Sequence, residues 1–197
     1  MKNDRYGQAA IITEKERLRI KRFIFSPSHK LIFDIACFTG ERWGAILKLR
    51  VDDCYADRAK MIPRKYILYR GNTRKRSGGV NAASREVPVH PELWESLARF
   101  KPPAGRWLFP SRLKEDSPIT YQSADKALRQ AVQRAGLSYK GISTHSTRRT
   151  FITRLSENGV DLRTIQALTG HSTLGSLQRY IEESPERKNK AINCLTF

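Results

Sequence analysis

TRRTFITRLSENGVDLRTIQALTGHSTLGSLQRYIE, residues 147–182, decides the fold class, because it reads as three short helices in succession punctuated by glycine. Thr147–Asn158 is closed by Gly159 and Asp161–Thr169 by Gly170, and Ser172–Glu182 follows at once. In the first of these helices Phe151, Ile152 and Leu155 lie three, four and seven residues beyond Arg148. That spacing puts the Arg148 guanidinium on the inward stripe.

Working outward, the same punctuation recurs. Thr13 and Glu16 form a capping box that opens a helix running to Phe25 and stopped by Ser26-Pro27. His29–Phe38 is apolar nearly all round, so it reads as a buried helix, ended by Thr39-Gly40. A third helix is expected immediately afterwards, with Arg42, Ile46 and Leu49 at i, i+4 and i+7, which aims a second guanidinium at the core. Pro91–Phe100 and Thr120–Ala135, the latter closed by Gly136, add two more.

Between Arg58 and Arg85 the pattern turns β-like. Lys60–Ile62, Tyr66–Tyr69 and Arg85–Val89 are split by Gly71-Asn72 and Ser77-Gly78-Gly79, which predicts a small antiparallel sheet. With no internal repeat and no low-complexity linker, the expectation is one mainly α domain with a small antiparallel β-sheet (α+β), long enough at 197 residues to close a core without staples.

Composition narrows the function. Against 19 acids stand 37 Lys and Arg, a formal net charge of +18, which attracts polyanions: nucleic acid first, an anionic membrane or acidic protein second. The most apolar stretch, Leu31–Phe38, is short and interrupted by Asp34, so neither a signal peptide nor a membrane span is expected. The cysteines Cys37, Cys54 and Cys194 are odd in number and lack C-x-x-C spacing, which suits reduced thiols in a cytoplasmic setting. Phosphate-loop, dinucleotide and zinc motifs are absent, and His29, His90, His145 and His171 lack metal-ligand spacing, so no metal, nucleotide or other cofactor is expected.

The segment from Arg58 to Arg85 holds nine Lys or Arg and no acid. It can be a solvated turn or a finger laid against phosphates, and the imbalance favours the finger. Arg70, Arg74, Arg76 and Arg85 are its candidate DNA contacts, and Arg149 is another.

Two inward arginines on separate helices need an anion. Internal acids or carbonyls would make them structural; an external phosphate would be gripped on its non-bridging oxygens, where charge grows during phosphoryl transfer. His145 lies one turn before Arg148, and His171 stands at a helix junction. Tyr180 sits beside the stripe Leu174, Leu177 and Ile181, either as an ordinary core tyrosine or as a nucleophile. A phenol with an ordinary pKa of about 10 is ionised about once in a thousand at neutral pH, so attack would need a base and cations close by.

In order, T-G-E-R (Thr39–Arg42), H-S-T-R (His145–Arg148), T-G-H-S-T-L (Thr169–Leu174) and Tyr180, nine residues after His171, resemble the signature of the tyrosine recombinases, the phage-integrase family. The resemblance covers about Thr13 to Ser184 and implies the catalytic-domain fold of that family for residues 1–184, with 185–197 as a C-terminal tail. It implies that Arg42 and Arg148 clamp the scissile phosphate, that His145 acts as general base or acid, and that His171 donates to a phosphate oxygen. Tyr180 would attack to form a 3′-phosphotyrosyl bond, without ATP or metal. The family's hairpin lysine, which protonates the leaving 5′-oxygen, would be Lys75, with Lys65 or a shifted register as substitutes.

Two departures stand out. Where the family commonly has a glutamate three residues after the first arginine, this chain has Ala45, so that orienting role must fall to another group. Only about a dozen residues precede the first helix, where relatives typically carry a further helical domain, implying either a minimal recombinase or a catalytic fragment. The implied partner is double-stranded DNA, bound as a DNA-dependent homo-oligomer in which the apolar end Ala191–Phe197 docks on a neighbour or folds back, in a nucleoid-associated cytoplasmic protein. A type IB topoisomerase shares the chemistry, and a helix-turn-helix regulator spanning Asp161–Glu182 is the non-enzyme rival.

Overall fold

The computed structural model describes residues 9–73, 83–178, 180, 189 and 192–193, the side chain of Asn72 excepted. Among them the helices and strands run α1 (Glu14–Arg22), α2 (Pro27–Thr39), α3 (Trp43–Ile46), α4 (Val51–Cys54), β1 (Tyr55–Asp57), β2 (Ile62–Pro63), β3 (Tyr66–Tyr69), β4 (Arg85–Pro88), α5 (Pro91–Arg99), α6 (Tyr121–Arg134), α7 (Thr144–Glu157), α8 (Leu162–Thr169) and α9 (Leu174–Gln178).

Helix α2 is the hub, and its composition says why. Leu31, Ile32, Phe33, Ile35 and Ala36 are all buried, so no face is left for water and the helix packs at once on α3, α5, α6 and α7. Its one internal acid, Asp34, is 1% exposed: Oδ2 pairs with Lys21 Nζ at 2.6 Å and accepts from the Ser96 hydroxyl at 2.9 Å, while Oδ1 has only the longer ion pair with Arg17 Nη1 at 3.9 Å. The Thr13–Glu16 capping box opens α1 as the sequence requires.

Gly40 ends α2 in the left-handed region, φ +61°, and a Cβ built there would lie 2.3 Å from Phe151 Cδ1 on α7. Both facts demand glycine. Gly40→Ala is expected to cost about 2–4 kcal/mol from overpacking and an unfavourable φ, read as a drop in the denaturant midpoint at unchanged m.

In the β region the expectation of a single small sheet is corrected. Antiparallel β1 and β2 form one ribbon, while β3 and β4 form a second, pairing Tyr66 with Pro88 through Tyr69 with Arg85. Cys54 closes a short helix, α4, directly into β1, so the chain turns back on itself before the strand expected at Lys60.

The C-terminal helices build a small core of their own. Ile152, Ile165 and Leu177 are fully buried, with Phe151, Leu155, Val160, Leu174 and Tyr180 packed around them. Three buried aliphatics contribute roughly 1.5–3 kcal/mol each, so the segment carrying Tyr180 is held far more lightly than α2. Cys37 and Cys54 are free thiols, and Cys194 lies outside the described residues. Among the described residues no helix is long and apolar enough to cross a membrane.

Candidate active site

A cleft of about 450 Å³ opens where α3 meets α7, with Arg42, Trp43, Lys48, Tyr121, His145 and Arg148 on its walls. The two arginines reach it differently. Arg148 is buried as its stripe requires, 3% exposed. Arg42 departs from the core-facing position expected for it: α3 is one turn long and starts after Arg42, which is its N-cap residue in extended conformation with an exposed side chain. Counting helix positions from Arg42 fails because Arg42 is not in the helix.

Local geometry fixes Arg148. Its Nη1 donates to the Gly40 carbonyl at 2.8 Å and its Nη2 to the Thr169 carbonyl at 3.0 Å, while Nη2 also lies 3.1–3.2 Å from the ring nitrogens of His171. Two helix ends, those of α2 and α8, thus hold one guanidinium by carbonyls left over from their last turns. Burial, followed by the nearby charge of Arg42, lowers the Arg148 pKa to about 10, with Glu41 opposing; the group stays cationic at neutral pH.

His171 follows Gly170, the left-handed residue that ends α8, and its Nδ1 lies 2.7 Å from the Thr169 hydroxyl. The Tyr180 ring stands beside it, centroids 5.7 Å apart at 55°. Tyr180 is half-buried and anchored through its backbone: its N–H donates to the Leu177 carbonyl at 2.9 Å, and its carbonyl accepts from the Thr153 hydroxyl at 3.2 Å. By contrast Tyr69 is wholly buried, and burial pushes its phenol well above the ordinary range, which makes it unfit as a nucleophile. His145, in the first turn of α7, is exposed on the cleft wall.

The structure therefore brings Arg42, His145, Arg148, His171 and Tyr180 into one region. Lys75, Arg74 and Arg76 lie outside the described residues. The remaining candidate DNA contacts turn toward the protein. Arg70 bonds Asp53 at 2.7–2.8 Å, Arg85 pairs with Glu41, and Arg149, 5% exposed, donates to the Ala9 carbonyl at 3.0 Å.

Sequence reasoning missed Glu41 and Lys48. Glu41 is 1% exposed, 3.7 Å from Arg148 Nη1 and paired with Arg85, so a carboxylate does stand near the two arginines. Its signal in the sequence is its place in T-G-E-R, immediately before Arg42. Lys48 is two residues beyond the end of α3 and lines the cleft. No group of three or more His, Cys, Asp or Glu suited to a metal occurs among the described residues.

Residues 11–187 match the model of the phage integrase family. The tyrosine recombinase XerD of Brucella suis biovar 1 (strain 1330) is 36% identical over 123 residues, covering 58% of this chain and 40% of that protein. Among solved structures, the XerH site-specific recombinase bound to its difH substrate superposes with TM-score 0.69 at 21% identity over 97% of this chain and 56% of that one. The catalytic domain of bacteriophage HP1 integrase gives TM-score 0.64 at 23% identity over 95% of both chains. The mainly helical catalytic-domain fold is thereby shared, and the chain spans about 40% of the length of its curated XerD relative.

Proposed function

The chain belongs to the phage integrase family, and on that premise we propose that it cuts and rejoins double-stranded DNA at specific sites through a 3′-phosphotyrosyl intermediate. The observation that carries the proposal is the juxtaposition of Arg148, His171 and Tyr180: one buried guanidinium touching an imidazole that itself faces a phenol. Arg42 and Arg148 grip the non-bridging oxygens of one phosphodiester, where charge accumulates as the phosphorus becomes five-coordinate. Tyr180 Oη attacks the phosphorus, its proton passing to His145, while His171 donates to a phosphate oxygen. The bond to the 5′-oxygen breaks and that oxygen takes a proton from Lys75. Because one phosphoester replaces another, a 5′-hydroxyl from a second duplex can reverse the step with no outside energy source.

Residues 1–184 form the catalytic unit in this proposal, and 185–197 serve as a tail that docks on a neighbouring protomer in a DNA-dependent oligomer. The protein works on nucleoid DNA in the cytoplasm. Since Arg70, Arg85 and Arg149 are committed to internal partners, phosphate contact falls mainly to Arg42, Lys48 and the hairpin. With about four or five phosphates neutralised, affinity for duplex DNA is expected to fall about 10²–10³-fold between 50 and 200 mM salt; a flat response in a titration series contradicts this interface.

A nicked suicide duplex carrying the recognition site tests the chemistry, since loss of the short 5′-hydroxyl strand traps the intermediate. Denaturing electrophoresis then shows a protein–DNA adduct from the native chain. Recombination between two sites, measured beside relaxation of supercoiled DNA, separates strand exchange from topoisomerase action.

A further inference from the structure

We propose that Glu41 is the positioning residue of this cleft: its buried carboxylate ties the guanidiniums of Arg148 and Arg85 to the backbone that presents Arg42, so that all three cations are held in one arrangement. This rests on the recombinase reading and deepens it by assigning the group that orients the phosphate-binding side chains.

The connections run through three consecutive residues. Gly40 gives its carbonyl to Arg148 Nη1 at 2.8 Å, the Glu41 carboxylate lies 3.7 Å from the same nitrogen, and the Arg42 N–H donates to Glu41 Oε1 at 2.7 Å. On its other oxygen Glu41 pairs with Arg85 Nη2, whose guanidinium lies 5.5 Å from the centre of the Tyr69 ring. Tyr69 Oη in turn lies 3.0 Å from the Thr39 hydroxyl, which accepts the Glu41 N–H at 3.3 Å, so the carboxylate is fixed from both sides.

Charge explains why an anion belongs here. The charge of Arg42 acts against that of the buried Arg148, and Arg85 adds a third cation. A single carboxylate, 1% exposed, neutralises part of that field without blocking the arginines. Arg148 Nε, Arg85 Nε and Arg85 Nη1 are buried with no hydrogen-bond partner among the described residues, so each guanidinium keeps donors beyond those that Glu41 and the carbonyls take. Ala45, on the far side of Arg42, has no carboxylate to offer, and Glu41 supplies one from the residue just before it.

The test uses the full chain on the suicide duplex at fixed salt, with DNA affinity, single-turnover cleavage rate and melting temperature read for each variant. Glu41→Gln keeps the shape and removes the charge. Expected is cleavage slowed about 10–100-fold while the dissociation constant for the same duplex stays equal or falls, because the cleft becomes more positive. Glu41→Asp, which returns the charge, recovers part of the rate. Cleavage by Glu41→Gln within threefold of native overturns the proposal, as does an Asp variant no faster than Gln. A Gln variant that loses folding, binding and cleavage together makes Glu41 a fold-holding group and also overturns it. If the native chain gives no adduct, the recombinase reading fails and this proposal falls with it; an active native chain with an indifferent Glu41→Gln variant removes only the proposal.

Discussion

Tyr180→Phe abolishes the covalent adduct on the nicked duplex, with cleavage at least about 10³-fold below native, while the protein stays folded and still binds DNA. The size of the effect follows from chemistry: phenylalanine has no oxygen to attack phosphorus, so no phosphotyrosyl bond can form. The specificity follows from packing. Tyr180 contributes its ring to the cluster of Ile152, Ile165 and Leu177, and its described hydrogen bonds run through its own backbone. Phenylalanine preserves both, so stability should change by no more than about 0.5 kcal/mol. Persistence of the adduct in the Phe variant would assign the nucleophile to another residue.

Arg148→Lys should be nearly as damaging, for two reasons that can be measured apart. A lysine is a point charge on a flexible stem and cannot reproduce donors aimed at Gly40, Thr169 and His171 together. Two carbonyls at separate helix ends then lose their donor, which costs about 2–4 kcal/mol in a denaturant titration. Cleavage at saturating DNA, well below the melting temperature, should fall about 10³-fold, the scale seen when a donor to a developing oxyanion is lost. A rate within tenfold of native would mean that Arg148 serves the fold alone.

The two arginines show how far periodicity reaches. For Arg148 the stripe Phe151, Ile152 and Leu155 lies on a real helix of 14 residues, so the inward direction was legible and proved correct. For Arg42 the same arithmetic predicts an inward side chain, but the segment is helical only from Trp43 to Ile46 and Arg42, outside it, is exposed. Strands were harder still. The β-type runs Tyr66–Tyr69 and Arg85–Val89, split by turn residues, are legible as antiparallel strands, whereas the separate β1–β2 ribbon depends on a one-turn helix, α4, too short to leave a period.

What the chain determines by itself is local: helix caps and stops at Thr13, Gly40 and Gly170, the near-continuous apolar character of α2, a large positive charge, and the ordered motifs that place the protein in its family. Each depends on residues a few positions apart, within reach of one backbone conformation. Only the tertiary structure decided which cations are available and which are committed. Arg70 went to Asp53, Arg85 to Glu41 and Arg149 to the Ala9 carbonyl, partners 17, 44 and 140 positions away in sequence. Ion pairs carry no periodic signature, because any acid that folding brings within about 4 Å can take the charge.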